Sequence, residues 1–207
     1  MKIIVALCLL AIPITFAAQS APPKPALKTL TSPDGTYRLS YPDILVRCLV
    51  QPQKNSWSPQ TCMSYFPVCE PVDDQFTTAC LAYPRNKHTE TEAFGAAALS
   101  VGEIKAASEK DCFSGTEDVQ PDDAHPMAAI RGVLFRVFKI SSAGMNKSFD
   151  ATLYRTFHGS KCYQLGVAVA STNAEVFDPP ARELTKEDMA DINGRLEQAR
   201  DSFEFLK

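Results

Sequence analysis

SFDATLYRTFHGSKCYQLGVAVAS, residues 148–171, decides how the rest of the chain is read. Two runs rich in β-branched and aromatic residues flank Gly159-Ser160, a pair suited to a two-residue hairpin turn. With that turn, Phe157 falls opposite Cys162 and Tyr154 opposite Leu165. Side chains alternate between the two faces of a strand. One face therefore gathers Tyr154, Tyr163, Leu165, Val167 and Val169, and the other carries Leu153, Phe157 and Cys162. Both faces are apolar, so both require cover. The same register separates His158 from Cys162. A nucleophile needs its base within hydrogen-bond reach, and these two side chains point apart. Cys162 reads as one end of a disulfide staple.

Outward from the hairpin, AIRGVLFRVFKI (129–140) precedes it across SSAGMNK, which makes three long runs an antiparallel meander. Cover comes from TKEDMADINGRLEQARDSF (185–203). Thr185 and Asp188 have capping-box spacing, and Met189, Ile192, Leu196, Ala199 and Phe203 recur at steps of three and four. SFEFLK then reads as a short terminal strand. Upstream, DGTYRLSYP (34–42) alternates Tyr37, Leu39 and Tyr41 against polar residues, the pattern of a half-buried strand. ILVRCLV (44–50), TTACLAYP (77–84) and FGAAALSVGEI (94–104) continue as strands, and KAASEKDCF (105–113) as a helix. Residues 51–76 and 115–126 are loop-like. The expected fold is α+β, an antiparallel β-sheet meander with packed helices and a disulfide-stapled insertion at about 48–80.

The amino terminus, MKIIVALCLLAIPITFAAQSA, has the form of an export signal: Lys2, an apolar stretch, then small residues. Cleavage is expected after Ala17, with Ser20 as the alternative. The apolar stretch is too short to span a bilayer. The expected organisation is a signal at 1–17, a Pro-rich linker at 18–33, and one domain at 34–207 with no transmembrane anchor once the signal is removed. The chain carries 21 basic and 24 acidic residues. Loss of Lys2 with the signal leaves a net charge of about −4, without the basic block that tracks phosphates. Nucleic acid is not an expected partner.

Cys8 leaves with the signal, and six cysteines remain: Cys48, Cys62, Cys69, Cys80, Cys112 and Cys162. An even number in an exported chain reads as disulfides. Six cysteines allow fifteen pairings, and sequence alone does not choose among them. The arrangement expected here is Cys62–Cys69 closing a short loop, Cys48–Cys80 tying the ends of the insertion, and Cys112–Cys162 clamping a helix to the hairpin. No C-x-x-C redox motif occurs, and the cysteine gaps do not suit a zinc site.

Other chemistry-bearing groups are few. His88, Glu90 and Glu92 would share one side of a strand, a weak metal face that reads more simply as a solvated edge. Asp122, Asp123 and His125 lack the spacing of a calcium loop, and solvation is their default. No G-x-S-x-G and no phosphate-cradling glycine loop is present. Asn146-Lys147-Ser148 is a glycosylation sequon in an expected loop. Trp57 either anchors a partner or covers a small core of the insertion.

The opening DGTYRLSYP, the later meander and the amphipathic helix running into DSFEFLK together resemble the PsbP-like domain. That family includes extrinsic photosystem proteins, a Ran-binding branch and exported bacterial proteins without known activity. The likeness covers residues 33–42 and about 129–206. It departs from the family pattern in lacking a Trp after Tyr41-Pro42 and in carrying the cysteine-rich segment 48–80. The resemblance implies a small sheet-and-helix binding or assembly module, usually without catalysis.

The functional expectation is an exported, non-enzymatic module that binds a protein or cell-envelope component, with the insertion as contact surface and no cofactor. Two alternatives remain: a thiol- or metal-dependent enzyme using Cys162 or the acidic loops, and a small-ligand carrier with a pocket between sheet and helix.

Overall fold

A computed structural model describes residues 26–51, 56–58, 62, 68–69, 75–87, 93–115, 119–124 and 126–206. The expected signal at 1–17, the linker before Ala26, and His88, Glu90, Glu92 and His125 lie outside the described residues. In chain order the elements are β1 (Leu27–Thr31), β2 (Tyr37–Pro42), β3 (Val46–Gln51), β4 (Ser56–Ser58), β5 (Gln75–Ala82) and β6 (Phe94–Ile104). There follow α1 (Glu109–Cys112), β7 (Gln120–Pro121), β8 (Met127–Ile130), β9 (Val133–Gly144), β10 (Lys147–His158), β11 (Lys161–Thr172), α2 (Lys186–Asp201) and β12 (Glu204–Phe205).

The α+β expectation is overturned. The protein is mostly β, a curled antiparallel half-barrel against which α2 packs, and α1 is a four-residue turn of helix. KAASEKDCF had the composition of a helix, but only Glu109–Cys112 forms one, started by Ser108, whose hydroxyl accepts from the Asp111 N–H. So short a helix closes few internal hydrogen bonds. The segment is held instead by the bond from Cys112 to the sheet.

The main sheet runs β4-β3-β5-β6-β11-β10-β9-β7, with β8 also on β9. Its centre is the meander, in the expected register: Phe157 opposite Cys162 and Tyr154 opposite Leu165. Gly159 and Ser160 both take positive φ, 55° and 64°, as the two-residue turn demands. Met145 and Asn146 do the same at the β9–β10 tip, so SSAGMNK is mostly strand with a two-residue turn. The run 129–140 is broken by a turn at Arg131-Gly132, φ 47° and 83°, which yields β8 and β9. Arginine is not a usual residue at positive φ, so that hairpin carried no clear signal.

A second, three-stranded sheet has the order β1-β2-β12. Leu27–Thr31, assigned to the linker, is thus paired as β1 with β2.

Each face of the main sheet is closed differently. On one side α2 and the small sheet bury Tyr37, Leu39, Phe135, Leu165, Ile192 and Leu196 in one cluster with Phe203. Complete burial of side chains of this size contributes about 1.5–3 kcal/mol each before entropy is counted. The capping box of α2 is formed: Thr185 Oγ1 accepts from the Asp188 N–H at 3.1 Å, and Asp188 Oδ2 accepts from the Thr185 N–H at 2.9 Å. On the other side the floor is small, with Ala82, Ala96, Ala98, Ala151, Ala168 and Ala170 around Leu153. Cys62, Val68 and Cys69 of the insertion lie against it. β6 serves both faces, Leu99 and Val101 one way and Ala96 and Ala98 the other, which explains its unbroken apolar run.

The disulfides correct two of the three expected pairings. Cys112–Cys162 is present, but the insertion is tied by Cys48–Cys62 and Cys69–Cys80. Cys48 and Cys80 are indeed direct partners across β3 and β5. Both lie in one cluster with Cys62, Val68 and Cys69, and each strand cysteine bonds one of the two cysteines between β4 and β5. A Cys62–Cys69 closure would have left both of those cysteines unbonded to the sheet.

Candidate functional site

The site arises from a mismatch of lengths. Sixteen residues of α2 span about 24 Å at 1.5 Å each, whereas the twelve-residue strands β9, β10 and β11 extend roughly 40 Å. The helix leaves the far part of the meander uncovered on its own side. Met189, Asn193 and Glu197, four residues apart, form one wall of the resulting cleft. Its floor is Ser148, Asp150, Thr152, Val167, Val169 and Ser171, and its volume is about 370 Å³. Met189 was expected to join the core stripe. It is only half-buried, because its turn of the helix overhangs this opening.

The cleft continues at both ends. Toward the β9–β10 tip it shares Ser148, Ser171 and Met189 with a cleft of about 750 Å³ that reaches Glu175 and Glu183. In the other direction it shares Lys139, Thr152 and Tyr154 with one of about 440 Å³ bounded by Met127 and Asp201. Together they form a continuous groove along one edge of α2.

Most polar groups of the floor are satisfied within it. Ser141 donates to Asp150 Oδ1 at 2.6 Å, and the Ser148 and Ser171 hydroxyls share a hydrogen bond at 2.6 Å. Lys139 pairs at 3.0 Å with Asp122, a residue expected to be solvated but buried here. The Arg200 guanidinium lies 4.7 Å over the Tyr154 ring and donates to its hydroxyl. Burial pushes the Tyr154 phenol upward, partly opposed by that cation. The described lining contains neither histidine nor cysteine. It offers hydroxyls, amides, carboxylates and aliphatic carbon, a set suited to holding a partner.

The residues singled out from sequence are dispersed. Cys162 is bonded to Cys112, with Cα atoms 5.5 Å apart. His158 stacks on Phe205 on the helix side of the sheet. Trp57 sits on β4 opposite Val50, and its side chain lies outside what is described. Asn146 of the sequon is exposed at the hairpin tip. Three sulfurs, of Cys48, Cys69 and Cys80, lie within 4.8 Å of one another. Each is already in a disulfide, so the cluster is two adjacent bridges.

Sequence reasoning passed over Arg155, which is buried on the insertion side. Its Nε donates to Gln164 Oε1 at 2.7 Å and its Nη1 to the Ser114 carbonyl at 2.9 Å, and the guanidinium lies 4.6 Å from the Phe138 ring centre. It ties the segment after α1 to the sheet. A charged residue at an inward position of an apolar strand was the available signal.

No family model and no curated protein matches the chain. Among the described residues no helix is long and apolar enough to cross a membrane. Solved structures are similar in fold at low identity. One, from Bacteroides thetaiotaomicron VPI-5482, is 11% identical with a TM-score of 0.46, and the match covers 87% of this chain and 48% of that one. The chain therefore spans about half the length of that protein. Cyanobacterial PsbP (CyanoP) from Synechocystis sp. PCC 6803 is 9% identical with a TM-score of 0.42, covering 91% of this chain and 99% of its own. The Saccharomyces cerevisiae Ran-binding protein Mog1p is 11% identical with a TM-score of 0.40, covering 87% and 96%.

Proposed function

We propose that this chain is an exported, disulfide-stabilised binding module without catalysis, and that the groove beside α2 receives its partner. The observation that carries this reading is the groove itself, a floor of valines, hydroxyls and Asp150 left open by a helix shorter than the strands beneath it. Three disulfides suit an oxidising compartment. The bond from Cys162 to Cys112 leaves Cys162 without a free thiol, which supports this reading over an enzyme that uses Cys162.

The test uses the mature protein carrying a benzophenone side chain at position 189, in the groove wall, or at position 110, exposed on α1. Irradiation with the native envelope fraction is expected to give an adduct from position 189 alone. An adduct from position 110 alone, or from neither, would overturn the groove as the binding surface. A small-ligand carrier is the second reading, favoured by a cleft volume of about 370 Å³, within the range of small-molecule sites. Native mass spectrometry showing a retained compound would select it.

A further inference from the structure

The groove has a charge as well as a shape. Its cations are engaged: Lys139 with Asp122 at 3.0 Å, and Arg200 with Asp201 at 2.8 Å and Glu197 at 3.9 Å. Lys147 also has a partner. Glu175 and Glu183, both exposed at the hairpin-tip end, have no ion pair among the described residues. Over the whole lining six carboxylates, of Asp122, Asp150, Glu175, Glu183, Glu197 and Asp201, face three cations, Lys139, Lys147 and Arg200, so the groove is net negative.

The floor beneath mixes valine with polar groups that bond within the protein, Ser141 to Asp150 and Ser148 with Ser171. Methionines mark it along its length. Met127, 44% exposed, stands at one end, half-buried Met189 at the centre, and Met145, 88% exposed, at the hairpin tip beyond. Unbranched thioether side chains refit to varied apolar surfaces, and they recur where one site accepts related partners. Val176 and Phe177, 46% and 38% exposed, extend the apolar surface beside Glu175.

We infer that the groove takes a basic, aliphatic-rich polypeptide segment of a partner protein. This inference rests on the groove being the binding surface. Charge complementarity selects the class: lysine or arginine over Glu175 and Glu183, with aliphatic side chains on Val169 and Met189. An anionic ligand would meet the two carboxylates directly. A sugar would find one aromatic ring, Tyr154, in the described lining, and its face is covered by Arg200.

The experiment titrates the mature, disulfide-bonded protein with two short synthetic peptides, one alternating lysine and leucine, the other glutamate and leucine. The lysine peptide is expected to bind about ten-fold tighter at low salt, to weaken as salt rises, and to protect Met189 from peroxide oxidation. A Glu175→Lys, Glu183→Lys double variant should lose about ten-fold in affinity for it. A control pair outside the groove, Asp43→Lys with Glu109→Lys, should lose none. Equal binding of both peptides, an unaffected double variant, or an equal loss in the control pair would overturn the inference. Capture from position 189 together with no lysine preference would remove only the charge class. No engagement of position 189 by either route would remove the groove itself.

Discussion

The His158 ring lies flat on Phe205, with centroids 3.9 Å apart and planes 11° from parallel. Phe205 also meets Tyr163 and Phe203 edge-on, at 5.0 and 5.1 Å. The meander hairpin is thereby joined to the last strand of the small sheet. It also answers the chemical question raised by His158 and Cys162: one belongs to this aromatic cluster, and the other is bonded to Cys112 on the opposite face.

Removing the stack should weaken the fold without changing its disulfides. His158→Ala is expected to cost about 0.5–1.5 kcal/mol, the range for an aromatic pair beyond its buried area. Phe205→Ala, which loses three ring contacts, should cost about 1.5–3 kcal/mol. Urea denaturation of the oxidised protein measures both, and an equal loss in the two variants would contradict the cluster.

The three disulfides should rank by the loop each closes. Cys112–Cys162 spans 50 residues, Cys48–Cys62 spans 14 and Cys69–Cys80 spans 11. Chain-entropy arithmetic assigns about 4 kcal/mol to the first and roughly 3 kcal/mol to each of the others. Paired Cys→Ala variants, compared by denaturation midpoint, should place Cys112–Cys162 as the costliest to lose. Peptide mapping of unreduced protein should recover Cys48–Cys62 and Cys69–Cys80, and recovery of Cys62–Cys69 would refute the pairing described.

Stability should fall at both extremes of pH. Hydrogen bonds from Arg182 and the Thr185 backbone hold the Asp188 carboxyl down to about 2, below its ordinary value near 4. A depressed carboxylate contributes stability that is present above its unfolded value and lost as pH falls through the folded one. The capping box therefore weakens between about pH 4 and about pH 2, and Asp188→Asn should flatten that part of the profile. At the alkaline end burial pushes Tyr37 and Tyr83 up to about 12. The unfolded chain ionises near pH 10, so this contribution is lost between about 10 and about 12. Ultraviolet titration should show these phenols ionising only as the fold is lost. Simultaneous titration of all six tyrosines in the folded protein would contradict their burial.

Gly166, on β11 between Ser100 of β6 and Leu153 of β10, has no space for a side chain. A Cβ there would lie 2.7 Å from Ser100 Oγ and 3.3 Å from Leu153 Cδ2. Gly166→Ala should cost about 1–3 kcal/mol through overpacking, and a companion Ser100→Gly should recover part of it. A neutral single variant, read by thermal melting, would show that the strands can spread.

The meander was legible because strand alternation and two-residue turns are local: Gly159-Ser160 alone set Phe157 against Cys162. The start of α2 was legible for the same reason, since Thr185 and Asp188 lie within one helical turn. The fold class was not. It depends on how many apolar stripes are closed by helices and how many by strands and loops. The insertion and the β1-β2-β12 sheet close faces for which only helices were expected as cover. Arg131 at positive φ hid a hairpin, and Met189 carried a core pattern at a position that overhangs open floor.

By itself the sequence determined the register of β10 and β11 and the cap of α2. Only the tertiary structure decided which insertion cysteines meet, which face each sheet side chain shares with a neighbour, and where the groove opens. Those outcomes depend on strands and loops far apart in the chain, and on a helix about 24 Å long laid on strands of roughly 40 Å. Residue spacing encodes local geometry, and the mismatch between packed elements exists only once they meet.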